Sequence, residues 1–404
     1  MRIPVFVGGA ALVALAAACS DGRNDANPVD LAAMELRAES LPASTTNQVA
    51  DDPAALALGR RLFFDRRMSA DGKVACVSCH DPTKGFSDPR PVSLGVNGRP
   101  GARHSMPITA VALQRFLFSD GRADSLWSQP LKAIEGQSEM DFGRLEVAHF
   151  IADAYRADYE TIFGPMPDLQ GLPAAGRPGQ PAWDALPEGP QEQVERVFAN
   201  VGKSIEAYER QLLCADTRFD RWARGEATLT ATELSGASSF VDNGCVGCHS
   251  GPSFSDGKFH NLGIDPGSSA EARGRATGIP LLLADPFNGA GAYSDDPAAG
   301  QRLLATVPTE TRTEGAFRTA SLRGVGQRQR FGHLGNRDSV RNFITSVYRG
   351  GGGGGRGGRG DGDNADDGAL DPLLRGVDAD NVDAIVAFLR TLDCPSPSPE
   401  LLQP

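Results

Sequence analysis

Apolar residues recur at helical spacing in four separated stretches of the 404-residue chain, and alternation never lasts long enough to make a strand. From Pro53 onward, Leu56, Leu58, Leu62 and Phe63 predict a helix. Val147, Phe150, Ile151, Ala154, Tyr155 and Ile162 predict another over 145–163. Val197, Val201, Ile205, Tyr208 and Leu212 make one stripe of a third, over 194–213, and Val382, Ile385, Val386, Phe388 and Leu389 the buried face of a fourth, over 380–392. Loops separate them: 80–108 is punctuated by Pro, Gly and Asp, and the Pro/Gly-rich stretch 164–190 reads as an inter-domain linker. The expected class is all-α with long loops.

Composition adds to this picture. Aromatics make up only 7% of the chain, against 48 Gly and 28 Pro, so large cofactors are expected to fill part of the cores. A net charge of -11 opposes a phosphate-binding surface and excludes a nucleic-acid partner, even though 349–368 is an Arg/Gly-rich, low-complexity and flexible insert. Arg2 followed by the apolar run 5–18, too short to span a bilayer, reads as an export signal. Leu15-Ala16-Ala17-Ala18-Cys19 resembles a lipobox, so the mature chain is either lipid-anchored through Cys19 or cleaved to a soluble form. That lipid is the one expected link to a membrane. The organisation predicted is a signal peptide over 1–19, a polar flexible tether over 20–50, an N-terminal domain over 51–163, the linker 164–190, a C-terminal domain over 191–394 and a tail over 395–404.

The chemistry lies in two motifs, Cys76-Val77-Ser78-Cys79-His80 and Cys245-Val246-Gly247-Cys248-His249. A c-type haem needs two thiols at this spacing for its vinyl groups and an adjoining His for its iron. Zinc or a redox dithiol could explain one Cys-x-x-Cys, but neither explains a His after both in an exported chain. One covalently bound haem is expected in each of two cytochrome c-type domains. Apart from Cys19, Cys214 and Cys394 remain, either as a disulfide suited to an oxidising compartment or as two buried thiols.

Further motifs surround these: Cys-His-Asp-Pro at 79–82 with Phe86 following, Asp-Gly-Arg-Ala at 120–123, Gln129, and Glu139-Met140. Later come Phe219-Asp220-Arg221-Trp222, Phe259-His260-Asn261-Leu262-Gly263, Phe317-Arg318, Ser321-Leu322-Arg323 and Ala-Phe-Leu-Arg-Thr-Leu at 387–392. From about Leu56 to Leu392, the Gly-rich insert excepted, the chain resembles the bacterial di-haem cytochrome c peroxidase family, which includes MauG-like enzymes. The resemblance implies peroxide chemistry at the His80 haem and electron storage at the His249 haem. It places Glu139 as the group that moves a proton between the peroxide oxygens and Gln129 as the amide that polarises their bond. The implied activity is periplasmic reduction of hydrogen peroxide to water, with electrons from a small donor protein such as a cytochrome c or a cupredoxin.

The chain also departs from the family. Where activation-dependent members carry a His that caps the first iron, it has Val96, which implies an open sixth site; His104 is a nearby alternative ligand. His104 aligns with an Asn that helps hold calcium, but the later calcium partners align with Arg328 and Arg330, two cations that oppose it. The aromatic expected before Asp120 is Ser119, beside Phe118, leaving Trp127 as an electron-transfer substitute or as core. The Tyr-x-His-x-Gly motif survives as Phe331-Gly332-His333-Leu334-Gly335; ungapped alignment then puts the second haem's far ligand at Val347, which cannot bind iron, next to Tyr348, which can. His260, His333 or no protein ligand are the alternatives. A Tyr ligand resembles the MauG-like branch, which implies oxidation of a partner protein's side chains; a pure electron-transfer cytochrome is the non-enzymatic alternative.

Overall fold

Asp52 opens the first helix by accepting hydrogen bonds from the backbone N–H groups of Ala54 and Ala55, with Pro53 pre-set at the first helical position. The computed structural model describes residues 30–264, 272–307, 313–348, 377 and 379–404, so the signal and lipobox segment 1–19 and the Gly-rich insert 349–368 lie outside the described residues. Among those described, the helices run α1 Pro53–Phe64, α2 Ser128–Glu135, α3 Arg144–Ala154, α4 Arg156–Phe163, α5 Pro181–Asp184, α6 Glu188–Glu209, α7 Arg218–Ala223, α8 Ala231–Asp242, α9 Arg275–Leu283, α10 Pro297–Leu304, α11 Val340–Val347 and α12 Ala379–Leu389. The fold is helix-rich, as expected. Its strands are β1 Phe259–His260 and β2 Phe317–Arg318, a two-residue antiparallel pair too short to leave a periodic signal in sequence.

Two helix crossings of the same design organise the structure. α1 lies on α6, and a Cβ on Gly59 would come within 1.8 Å of the Ser204 carbonyl oxygen. α8 lies on α12, and a Cβ on Gly236 would come within 1.9 Å of the Ala384 carbonyl oxygen. Each glycine-bearing helix is the one that precedes a Cys-x-x-Cys-His run. Around the first crossing, Leu58, Leu62, Trp127, Val197, Val201 and Ile205 are buried in one core; around the second, Phe219, Phe240, Phe254, Ile385 and Phe388 form another. Trp127 therefore packs as core, its Nε1 donating to Thr46 Oγ1 at 3.1 Å.

Several boundaries differ from the sequence reading. The helix expected over 145–163 breaks at Tyr155, whose hydroxyl donates to Asp65 while its ring packs edge-on to Phe150; apolar spacing runs through the break without recording it. α6 starts at Glu188, ahead of the apolar stripe, and its first turns are polar and exposed, so they leave no apolar periodicity. It joins the first core rather than the second, and Met166, Leu169 and Trp183 of the stretch read as a linker are buried in that same core. The stretch read as a flexible tether is docked from residue 31: Met34 and Leu36 are buried, Leu36 N–H donates to Asp220, and Asn47 donates to the Lys203 carbonyl and to Glu206. Polar composition suggested solvent there, but these side chains bond inward. Cys214 and Cys394 are bonded as a disulfide, closing a loop with a sequence separation of 180.

The crossings give the first expected outcome. Gly59→Ala and Gly236→Ala each force two backbones apart and lower unfolding stability by about 2 kcal/mol or more. Thermal unfolding of the two variants reads this; unchanged midpoints contradict the close packing.

Candidate functional site

Both Cys-x-x-Cys-His runs fold into the same turn. Cys79 and His80 donate their N–H groups to the Cys76 carbonyl at 3.1 and 2.9 Å; Cys248 and His249 do so to Cys245 at 3.3 and 2.9 Å. In such a 3-10 turn, residues three apart eclipse, so each pair of thiols stacks. All four cysteines are free of disulfides.

The next device is repeated as well. His80 Nδ1 lies 3.2 Å from the Phe86 carbonyl oxygen, and His249 Nδ1 lies 3.0 Å from that of Phe254. A carbonyl only accepts, so each Nδ1 carries the proton and each Nε2 keeps its lone pair for a metal. Burial also holds both imidazoles below their usual pKa, in the neutral, ligating form. Phe86 and Phe254 adopt the left-handed backbone, with φ of 54° and 50°, and both are buried. That conformation is uncommon for a bulky residue, and here it turns the carbonyl toward the imidazole. Paired thiols and oriented imidazoles fit two haem attachment sites. The one cluster of three metal-ligand types among the described residues, Cys248, Asp256 and His260 within 4.8 Å, borrows its thiol from the second motif, and its His260 Nε2 is 2.9 Å from Asp256.

The first motif has a buried acid beside it. Glu139 sits in the turn after α2, its N–H donating to the Gly136 carbonyl. Its charge reaches both Cys76 and Cys79. Burial raises its pKa, and the neighbouring Arg122 guanidinium partly opposes the rise. Val96 is fully buried and donates its N–H to the Glu139 carbonyl at 2.8 Å, so the Val96 loop is built onto the acid. Gly95 makes that contact possible, since a Cβ there would lie 2.1 Å from the Ser138 carbonyl oxygen and 2.4 Å from that of Glu139. Gln129 is half-buried on the first turn of α2, on the same helix–turn unit as Glu139.

At the second motif, Tyr348 caps α11 and packs in the core with Cys245 and Val246. Burial first, then the thiols of Cys245 and Cys248, push its phenol pKa up. Of the alternative ligands, His260 is paired with Asp256 and His333 is stacked on Phe317 at 3.8 Å. His104 is buried, with Nδ1 donating to the Pro91 carbonyl, and Arg328 stands close enough for its charge to act on it. Arg330 donates to the Pro89 carbonyl. Ser119, in the expected aromatic position, accepts from Arg103, and its carbonyl binds the N–H of Arg318.

Residues 53–228 match the family model described as di-haem cytochrome c peroxidase. Over that segment, under half of the chain, the sequence is similar to that family. The chain is 27% identical to the methylamine utilization protein MauG of Methylorubrum extorquens over 86% of this chain and 84% of the other. It is 28% identical to the cytochrome-c peroxidase IdrP2 of a Pseudomonas species over 97% and 92%. The fold is that of a MauG-like protein associated with microbial copper homeostasis, with a TM-score of 0.61 at 24% identity over 90% of this chain and 97% of the other. The chain is an oxidoreductase, and its likeness to the di-haem peroxidase family implies haem cofactors. Among its described residues, no helix is long and apolar enough to cross a membrane.

Sequence reasoning missed two features of the site. Gly95 carried no motif; its role shows only through the approach of the 138–139 backbone. Glu209, buried on α6 and interacting with Cys76, is pushed up to about 8 by burial and by Glu206; in sequence it is one acid on a predicted helix. A cavity of about 490 Å³ opens between Glu206, Arg210, Asp124 and Pro252, lined by none of the six motif residues. For the site as described, Gly95→Ala displaces Glu139 and lowers oxidoreductase turnover about ten- to a hundredfold while the absorbance spectrum per chain stays constant. Steady-state kinetics checks this, and full activity in the variant contradicts the positioning role.

Proposed function

We propose that the chain is a periplasmic di-haem peroxidase that reduces hydrogen peroxide to water. In this reading one c-type haem is bound through Cys76, Cys79 and His80 and the other through Cys245, Cys248 and His249, each in a cytochrome c-type half whose leading helix crosses a later one at Gly59 or Gly236. The half-boundary then falls after α6. The haem irons, when bound, supply the site for peroxide and the electrons for its reduction, drawn from a small periplasmic donor protein such as a cytochrome c or a cupredoxin.

The observation that carries the reading is the buried Glu139 next to the first motif, with Val96 in contact. Valine has no atom to offer iron, which leaves that side open to peroxide. Each turnover joins one peroxide with two electrons and two protons to give two waters. Glu139, its pKa raised by burial, takes a proton from one peroxide oxygen and delivers it to the other, the one that leaves as water. The Gln129 amide, on the same helix–turn unit, orients the O–O bond. Glu139→Gln keeps the shape and loses the shuttle, so kcat falls about 10²- to 10⁴-fold with KM little changed. Turnover equal to wild type, measured with a reduced cytochrome donor, sinks the role of Glu139.

A second reading, a MauG-like oxidase of a partner protein's side chains, draws on Tyr348 beside Cys245 and Cys248. If its phenol binds the second iron, Tyr348→Phe changes the low-spin ferric EPR signal of that haem and leaves the first haem's signal in place. An unchanged spectrum removes Tyr348 as a ligand and weakens the MauG-like reading.

A further inference from the structure

Between the two motifs, the loop that follows the first interlocks with the segment that follows the second. Arg330 donates to the Pro89 carbonyl, His104 N–H donates to the His333 carbonyl, and Gly335 sits so close to Pro91 that a Cβ would lie 2.2 Å from its oxygen. The junction reaches both sites: Met106, two residues past His104, presents its carbonyl to His80, and Ala320, two residues past Arg318, presents its carbonyl to His249.

Two guanidiniums stand at this junction without a carboxylate. Arg318 is 9% exposed, and its partners are the carbonyls of Phe118 and Thr319 and the amide of Gln114, all neutral. Arg328 lies over the Phe331 ring, and its shielded Nε has no hydrogen-bond partner. Neither residue is in an ion pair among the described residues, and the two feel one another's charge. Burial pushes both down to about 10, with Arg328 adding to the fall at Arg318. The acids nearby are committed elsewhere: Asp120 to Arg103 and Arg122, and Asp88 to Arg90 and Ser93.

Shielding one unpaired cation is costly, and two of like sign at close range cost more. No Asp or Glu among the described residues pairs with either group, and a ligand that carries carboxylates would supply the counter-charge. That ligand is anionic, reaches both motifs and is present whenever the protein is folded. Once thioethers have consumed its vinyl groups, a c-type haem has propionate carboxylates as its charged groups. We propose that Arg328 and Arg318 form a clamp for these carboxylates, Arg328 for the haem at His80 and Arg318 for the haem at His249. A planar guanidinium suits a carboxylate through two parallel N–H bonds, which a lysine cannot reproduce. Because each arginine feels the other's charge, the clamp also links the electrostatics of the two sites.

The inference rests on haem attachment at both motifs, so haem content per chain, from the pyridine haemochrome spectrum, is read first. Fewer than two haems in the wild type overturns the attachment reading. With two haems present, spectroelectrochemical titration tests the clamp alone. Removing a cation disfavours the electron-rich ferrous state, so R328Q lowers one midpoint potential and R318Q lowers the other, while R330Q, a nearby arginine on a carbonyl, leaves both in place. Potentials unmoved in R328Q and R318Q, or moved equally by R330Q, overturn the clamp. Should R328Q fail to accumulate, R328K decides: the propionate-bending band in its resonance Raman spectrum shifts if the guanidinium fork holds the carboxylate, and stays put if it does not.

Discussion

The ion pair between Asp220 and Arg323 anchors the second half of the molecule. Both side chains are wholly buried, joined by two parallel bonds of 2.9 Å. Such a pair is favourable only if its remaining bonding capacity is used, and here it is. Asp220 also accepts from Leu36 N–H and from the backbone and hydroxyl of Thr217; Arg323 also donates to the carbonyls of Cys214, Met34 and Pro252. Burial would raise Asp220, but Arg323, Leu36 and Thr217 together outweigh it and keep the carboxyl below its ordinary range. One pair thus fixes the entering segment, α7, the disulfide and the loop after the second motif. Pro252 lies two residues before Phe254, whose carbonyl orients His249, so the charge pair is mechanically continuous with the ligand.

The two motif sites share a plan and differ in what faces them. Each has a thiol-bearing turn, a left-handed phenylalanine and an imidazole with a committed Nδ1. The first adds a buried acid and an aliphatic neighbour, which leaves it a chemically permissive side. The second adds a phenol. The same scaffolding thus presents different side chains at its two copies.

Much of this was legible because it is local. Cys76 to His80 and Cys245 to His249 are five-residue signatures, and the stripe from Val197 to Leu212 needs only one helix face. Asp220 and Arg323 belong to the motifs Phe219-Asp220-Arg221-Trp222 and Ser321-Leu322-Arg323, although nothing in the sequence says that they pair. What sequence failed to disclose depends on distant contacts. The break at Tyr155 follows from Asp65 and Phe150. Trp183 and Met166 are core residues set among prolines and glycines, so their stretch resembles a linker. The value of Gly95 appears only when residues 138 and 139 come against it. Arg328 and Arg330 were legible as cations in place of a metal's ligands, but not as buried or exposed, paired or unpaired.

The disulfide has a topological consequence. Cys214 and Cys394 turn everything between them, including the second motif and the Gly-rich insert, into a closed ring that shares one covalent node with the rest of the chain. A single peptide-bond cut inside that ring opens the circle without releasing a fragment. Both ends stay tethered through the sulfurs and remain addressable to the same core, so the integrity of this half depends on two independent covalent routes rather than one.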